Sequence, residues 1–383
     1  MNPFTRIARD WHALTELGPR FPGTPGEAQS VAYLMQAAAD LPCRLETHTY
    51  QYLGWELEGE PSLFLLKPEE VRLACYAFIR CGSTGPQGIQ GRLVPVGVHQ
   101  IIGLYRWEKF ALMGPSGELL GYISARPDGR AQPQPLSRGS SLLPHFAVGR
   151  EELSLIRESL RLSSDVRARG QVQCRWRENA TAMNVVASVP ARAGNGRVIL
   201  LCAHLDSVYG CPGANDNAGG LAVLLEVLRR YAAHPLPDHE LRFVFFNGEE
   251  WNLDGSEAYA AYLQEQGSIA SLKAVINLDG VAETGQEIQM WAGPEDLEWA
   301  ISRWLTAPGD EQGPKRSYMF PPSPGSDHWP FWTRGVPSIM VTGFEMEKYH
   351  LSEDVCTEDG LANLGKMVDL TGRLIHMIAR WER

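Results

Sequence analysis

Three short apolar runs decide the fold. They are Val198-Ile199-Leu200-Leu201-Cys202-Ala203, Leu241-Arg242-Phe243-Val244-Phe245-Phe246 and Ala274-Val275-Ile276-Asn277-Leu278. The first runs into His204-Leu205-Asp206, the second into Glu249-Glu250, and the third into Asp279. Each therefore closes on side chains able to bind a metal. Runs of this length and apolarity are buried strands, and the stretches between them have helical character, so the local order is strand, helix, strand, helix, strand. That order implies a parallel sheet, and parallel sheets gather ligands at the carboxyl ends of their strands.

Between the first two runs lies Gly213-Ala214-Asn215-Asp216-Asn217-Ala218-Gly219-Gly220, which leads into a helix expected at Leu221–Ala233. Small neighbours on both sides of Asp216 let backbone approach its carboxylate closely, as a carboxylate bridging two metal ions requires. Zinc suits a mixed histidine and carboxylate set with one position left open for water. Adjacent side chains after a strand point in different directions, so one of Glu249 and Glu250 can bind metal while the other faces an attacking water. Asp206, two residues after His204, suits a carboxylate that orients the imidazole. Singly these signals are weak, since a lone histidine or acidic pair is usually just solvated or hydrogen-bonded. The joint order, with another histidine near the end of the chain, is what carries weight.

The chain has 383 residues, suiting one large domain and a smaller one. A hydrophobic content of 44% and charged content of 21% are those of a globular protein with ample core. The net charge of -10 argues against a nucleic-acid partner, which needs a basic face. No apolar run approaches the roughly 20 residues that cross a bilayer. Residues 1–10 lack the apolar segment of a secretory signal. Seven cysteines, odd in number and without a CxxC pair, favour a reducing compartment. A cytoplasmic location is therefore expected, with a processed secreted form left open.

Helices are expected near Phe4–Leu17, Glu27–Ala39, Pro294–Trp304 and Leu361–Trp381, strands at Leu45–Tyr52 and Val336–Thr342, and a loop over 308–325. From 58 to 168 glycine and proline become dense and short β-like runs dominate. The expected organisation is a discontinuous domain of residues 1–57 and 169–383, carrying an inserted β-rich domain at 58–168. The fold class expected is α/β, with a mixed, mainly parallel central sheet and helices on both faces.

The combination His204-x-Asp206, Gly-flanked Asp216, Glu249-Glu250, Asp279 and a late Tyr349-His350 resembles the co-catalytic two-zinc aminopeptidase family. That family includes bacterial leucyl aminopeptidases and, more distantly, glutamate carboxypeptidase and the transferrin receptor. The resemblance implies two zinc ions per chain. It makes His204, Asp216 and Asp279 ligands of one, with Asp216 bridging, and Glu250 and His350 ligands of the other. Glu249 would be the general base and Tyr349 a donor to the oxyanion. Ser326-Asp327-His328 matches a further signature, with Asp327 in a supporting role, and in relatives the peptide bond after the bridging aspartate is cis. Residues 58–168 resemble the protease-associated domain through Gly91-Arg92-Leu93-Val94-Pro95-Val96 and Phe146-Ala147-Val148-Gly149-Arg150-Glu151-Glu152-Leu153. Gly219 and His350-Leu351-Ser352 depart from the commoner family pattern without removing a ligand.

The activity this implies is removal of N-terminal residues from peptides with a free N-terminus, without nucleic-acid or membrane partners. An apolar pocket for the first side chain is expected from Trp251, Met319, Phe320, Phe344 and Met346. Alternatives are a zinc carboxypeptidase or dipeptidase, which would need an arginine such as Arg316 or Arg334 to grip a carboxylate, and a non-catalytic receptor-like homologue. A serine hydrolase lacks support because no G-x-S-x-G occurs, and His239-Glu240 lacks the second histidine of H-E-x-x-H.

Overall fold

A computed structural model describes residues 2–66, 69–101, 105–137, 142–194, 196–283, 287–305, 315–343 and 347–382. In chain order its elements begin with α1 (Pro3–Glu16), α2 (Pro25–Ala38) and β1 (Arg44–Leu57). There follow β2 (Ser62–Leu65), β3 (Val71–Leu73), β4 (Cys75–Ala77), β5 (Ile89–Ile101), β6 (Tyr105–Met113), β7 (Leu119–Ala125), β8 (His145–Val148), α3 (Arg150–Leu162) and β9 (Arg167–Gln171). Next come β10 (Cys174–Val189), β11 (Arg197–His204), α4 (Gly220–Ala233), β12 (His239–Phe246), α5 (Asp254–Glu265) and β13 (Leu272–Leu278). The chain ends with β14 (Glu287–Gly293), α6 (Glu295–Leu305), β15 (Lys315–Met319), α7 (Trp329–Trp332), β16 (Ser338–Thr342) and α8 (Glu358–Arg380).

The chain divides into two compact units, Met1–Tyr52 with Thr181–Arg383, and Leu53–Ala180. The second unit takes in more than 58–168 at both ends, its boundaries falling within β1 and β10.

The first unit is built on a mixed sheet in the order β1-β10-β12-β11-β13-β16-β14-β15. Its central four strands, β12, β11, β13 and β16, run parallel, while β10 runs against β12 and β14 against β16. Alternate residues of the central strands are apolar on both faces. Ile199, Leu201 and Ala203 of β11 join a core with α1, α2, α4 and α8. Val198, Leu200 and Cys202 join a second core with Tyr259, Leu263 and Phe331 from α5 and α7. Burial on both sides is what a parallel sheet covered by two helix layers demands. Local chemistry marks the helix starts: the Asn2 side chain accepts the Thr5 N–H at 2.8 Å and Thr24 Oγ1 that of Glu27 at 3.3 Å, each followed by proline. Among the described residues no helix is long and apolar enough to cross a membrane.

The loop expected over 308–325 is corrected in part: Lys315–Met319 forms β15, pairing in parallel with β14. Its partner is distant in sequence, so local turn residues concealed it. Strand β14 also escaped notice, although buried Ile288, Met290 and Ala292 alternate along it.

The second unit has its own sheet, ordered β3-β2-β9-β5-β6-β7-β8-β4, antiparallel except for β7 with β8. One amphipathic helix, α3, buries Leu153 and Ile156.

Candidate metal centre

The strand registers bring the acidic and imidazole side chains to one edge of the sheet. Parallel pairing sets His204 opposite Phe246, and Cys202 opposite Asn277. The chain therefore leaves β11, β12 and β13 at nearly one level, with Glu249-Glu250 and Asp279 in the segments that follow.

Asp206 is fully buried, and its carboxylate holds the turn after β12. Oδ1 accepts the N–H of Glu249 at 3.2 Å and Oδ2 that of Glu250 at 3.1 Å. His204 Nδ1 lies 3.1 Å from the Asp206 carbonyl oxygen and 3.6 Å from its carboxylate Oδ1, so the residue faces the imidazole through main chain and side chain alike. With Nδ1 donating to that carbonyl, Nε2 presents its lone pair to the site.

Asp216 sits in an irregular turn before α4, with φ -115° and ψ 84°, and the Asp216–Asn217 peptide bond is cis. Glycine is required on both sides of it. Gly213 has φ +65°, and a Cβ at Gly220 would lie 2.7 Å from the Leu278 carbonyl oxygen. The turn is tied to the β13 end by Asn215 Oδ1, which accepts the N–H groups of Ala282 at 2.9 Å and Glu283 at 2.8 Å. Asn217 Nδ2 donates to Leu278 O at 2.8 Å. From the far side, the Asp354 carboxylate accepts the N–H groups of Asn215 at 2.7 Å and Asp216 at 3.1 Å. Arg20, wholly buried, donates to the carbonyls of Leu205 at 2.8 Å, Pro212 at 2.5 Å and Gly213 at 3.0 Å. It thereby joins the loop after His204 to the loop before Asp216.

These supports bring five side chains together. The two oxygens of Asp216 face different imidazoles, with Oδ1 3.0 Å from His204 Nε2 and Oδ2 3.5 Å from His350 Nε2. Asp279 Oδ1 lies 3.3 Å from His204 Nε2, and Glu250 Oε2 lies 3.1 Å from His350 Nε2. Asp279 Oδ2 accepts from Ser326 Oγ at 2.5 Å, and Asn277 Nδ2 donates to that hydroxyl at 2.7 Å. Donor atoms of His204, Asp216 and Glu250 all fall within 4.8 Å of one another. All five residues are buried, whereas Glu249 is only half-buried.

The electrostatics suit cations. Burial alone would keep His204 neutral, but Asp279 and Glu249 outweigh it and hold its pKa well above the ordinary value. His350 is likewise raised to about 10, Glu250 and Asp216 overcoming burial. Burial pushes Glu249 well up, against the pull of His204, and the neighbouring Glu250 and Asp279 charges add to it. Burial lifts Glu250 too. Asp327, buried beside these groups, is pushed up to about 7 by desolvation. Buried carboxylates in such density need positive charge at their centre. Glu250 Oε1 has no hydrogen-bond partner among the described residues. Oxygen and imidazole donors in this arrangement fit divalent cations, and the orphaned Glu250 oxygen supplies the independent sign.

The other expected site residues fall variously. The Tyr349 ring stacks on His350 with centroids 3.6 Å apart. His350 takes φ +63°, a conformation uncommon outside glycine and one found at constrained functional positions. His328 is not part of the cluster; it contacts Ser323 O at 2.9 Å and burial depresses its pKa to about 4. Trp251 is 1% exposed and packs edge-on against Phe21 and Tyr52, with centroids 5.6 and 6.0 Å away. Phe320 is exposed, just after β15. Phe344 and Met346 lie outside the described residues, as does the side chain of Met319. Arg334 is engaged by Glu257 at 3.0 and 2.5 Å and by Gln264 at 3.0 Å. Arg20, Asn215, Asp354 and the hydrogen bond from Ser326 to Asp279 escaped sequence reading. A lone arginine within the Gly-Pro loop 18–23 was the one available hint.

Known proteins bear on this site. Residues 184–374 match the family described as Peptidase family M28. Aminopeptidase YwaD of Bacillus subtilis is 29% identical over 217 residues, covering 54% of this chain and 46% of that protein. Endoplasmic reticulum metallopeptidase 1 of Mus musculus is 35% identical over 124 residues, 32% of this chain and 14% of that protein. The matched stretches thus span less than half the length of these relatives. The structure of an aminopeptidase from Aneurinibacillus sp. strain AM-1 superposes with a TM-score of 0.73, covering 98% of this chain and 93% of that one at 23% identity, a likeness of fold. Family match and site geometry agree on the same segment: the chain belongs to peptidase family M28.

Proposed function

We propose that the chain is a zinc-dependent exopeptidase that removes N-terminal residues from peptides with a free N-terminus. The observation that carries this reading is the Asp216 carboxylate, whose two oxygens face His204 and His350 separately, at 3.0 and 3.5 Å. A bridging ligand between two cations needs that division. His204 and Asp279 would complete one position, and His350 and Glu250 the other. Bound zinc polarises a carbonyl and lets water lose a proton near neutral pH.

The remaining chemistry belongs to side chains of this chain. Glu249, half-buried where Glu250 is 3% exposed, takes the proton of the attacking water on its carboxylate and returns it to the leaving amine. Asp206 supports this division of labour by holding both backbone N–H groups of the Glu249-Glu250 turn. Tyr349, stacked on His350, donates its hydroxyl to the carbonyl oxygen as that oxygen gains charge. An amine-binding site is favoured over a carboxylate-binding one because Arg334 is already paired with Glu257.

The test is hydrolysis of a panel of aminoacyl arylamides and of C-terminally varied peptides, with and without chelator. N-terminal release that chelator abolishes is expected. Glu249→Gln should keep its metal and lose activity by about 10³-fold or more, as removal of an essential proton carrier does. Release from the C-terminus alone would overturn the assignment.

A further inference from the structure

We propose that Cys81 and Cys174, in the second unit, form a redox-reactive dithiol that exchanges with low-molecular-weight disulfides. Residues 81–84 lie against residues 172–174 and are fastened there. Thr84 N–H donates to Val172 O at 2.8 Å, and Val172 N–H donates to Thr84 Oγ1 at 3.1 Å. Trp55 Nε1 donates to Cys81 O at 2.9 Å, and Cys174 Sγ donates to the same carbonyl at 3.2 Å. That contact sets the Cys174 sulfur directly against the Cys81 main chain. The hydrogen-bonded backbones thus hold the two cysteines side by side, the proximity that a bridge requires.

The two thiols differ in access. Cys81 is completely buried, while Cys174 is only half-buried. They differ in acidity as well. The Cys81 thiol and the Trp55 indole N–H stabilise a Cys174 thiolate, and its pKa falls below the ordinary thiol value. The other six cysteines are all pushed the opposite way, chiefly by burial at Cys43, Cys75, Cys202, Cys211 and Cys356, and by its hydrogen bond to Cys174 at Cys81. An accessible acidic thiol backed by a buried one is the arrangement of an attacking and a resolving cysteine.

The exchange balances. The Cys174 thiolate attacks one sulfur of the small disulfide, forming a mixed disulfide and releasing one thiolate, which takes up the proton Cys174 had lost. Cys81 then loses its proton to solvent and attacks Cys174 Sγ. The second small thiolate leaves and is protonated in turn. One external disulfide is reduced to two thiols, and the protein dithiol is oxidised to one disulfide.

Full-length protein incubated with oxidised glutathione tests this. Thiols titrated in denaturant should fall from seven to five, and non-reducing peptide mapping should recover one cross-link joining the Cys81 and Cys174 peptides. Cys81→Ser should trap one glutathione on Cys174, and Cys174→Ser should slow the first reaction at least ten-fold. Cys81→Ala replaces the serine variant if the buried hydroxyl prevents folding. Preferential modification of Cys43 or Cys356, or a stable mixed disulfide on Cys174 in the unaltered protein, would overturn the proposal. No readout depends on peptide hydrolysis, so the outcome stands apart from that of the proposed function.

Discussion

The carboxylate of Asp354 accepts the backbone N–H of Asp216 at 3.1 Å, holding the proposed bridging aspartate through its own main chain. Asp206 does the same for Glu249 and Glu250. Two loops that would otherwise carry unsatisfied buried N–H groups are thus each anchored by a carboxylate from elsewhere in the sequence. Asp354→Ala should weaken zinc binding and lower kcat, each by about 10- to 100-fold, the usual cost of losing a group that orients ligands. Chelator competition and steady-state kinetics check this, and an unchanged zinc affinity would refute it.

Glu249 and Glu250 should separate cleanly. Glu250→Gln removes charge from a buried side chain 3.1 Å from His350 Nε2, so zinc content per chain should fall measurably below that of Glu249→Gln. Metal analysis after gel filtration of both variants decides it. Equal zinc content in the two would contradict the assigned roles.

Arg20 sits in a cage of carbonyl oxygens, with a further contact to Leu14 O at 3.2 Å. Replacing it with methionine leaves the carbonyls of Leu205, Pro212 and Gly213 without their donor. The expected loss of stability is about 3 kcal/mol or more, since each unsatisfied buried group costs about 1–3 kcal/mol. Denaturant unfolding measures this. Arg20→Lys, which keeps the charge but not the fork, should recover only part of it.

A pH effect is expected from the second unit. His145 is buried against Phe78, with ring centroids 4.3 Å apart, and Ser124 Oγ lies 2.7 Å from its Nε2 and 3.1 Å from His99 Nδ1. Burial depresses both imidazoles, His99 to about 4, and the nearby Lys109 charge adds to this. Above the unfolded value of about 6.5 both states are neutral and nothing is lost. As pH falls below that value the unfolded chain binds protons that the folded unit refuses. Stability should therefore drop, by about 1.4 kcal/mol per pH unit for the buried His145. Melting curves between pH 7.5 and 4.5 should show a shallower slope in His145→Gln than in the unaltered chain. Parallel slopes would sink the idea.

The legible part of the site lay in its local pattern. Strands β11, β12 and β13 show as apolar runs because burial on both faces leaves no room for polar residues, and His204, Glu249-Glu250 and Asp279 follow directly from their ends. The glycines around Asp216 announce a close approach, and Gly220 against Leu278 O supplies it. By contrast β15 hid inside a stretch rich in glycine and proline, since its only visible reason for being extended is pairing with β14. Trp251 follows Glu250 in the chain, yet its place is set by packing against Phe21 and Tyr52, about two hundred residues earlier in the sequence.

The sequence by itself determined which side chains can hold metal and that three of them end parallel strands, because hydrophobic periodicity and turn chemistry are written within a few residues. Only the tertiary structure decided how those side chains are aimed. The approach of His350 to Asp216, the clasp of Asp354 on its backbone and the caging of Arg20 are contacts between segments more than a hundred residues apart. Contacts of that range depend on how whole elements pack, and a local pattern of residues does not encode them.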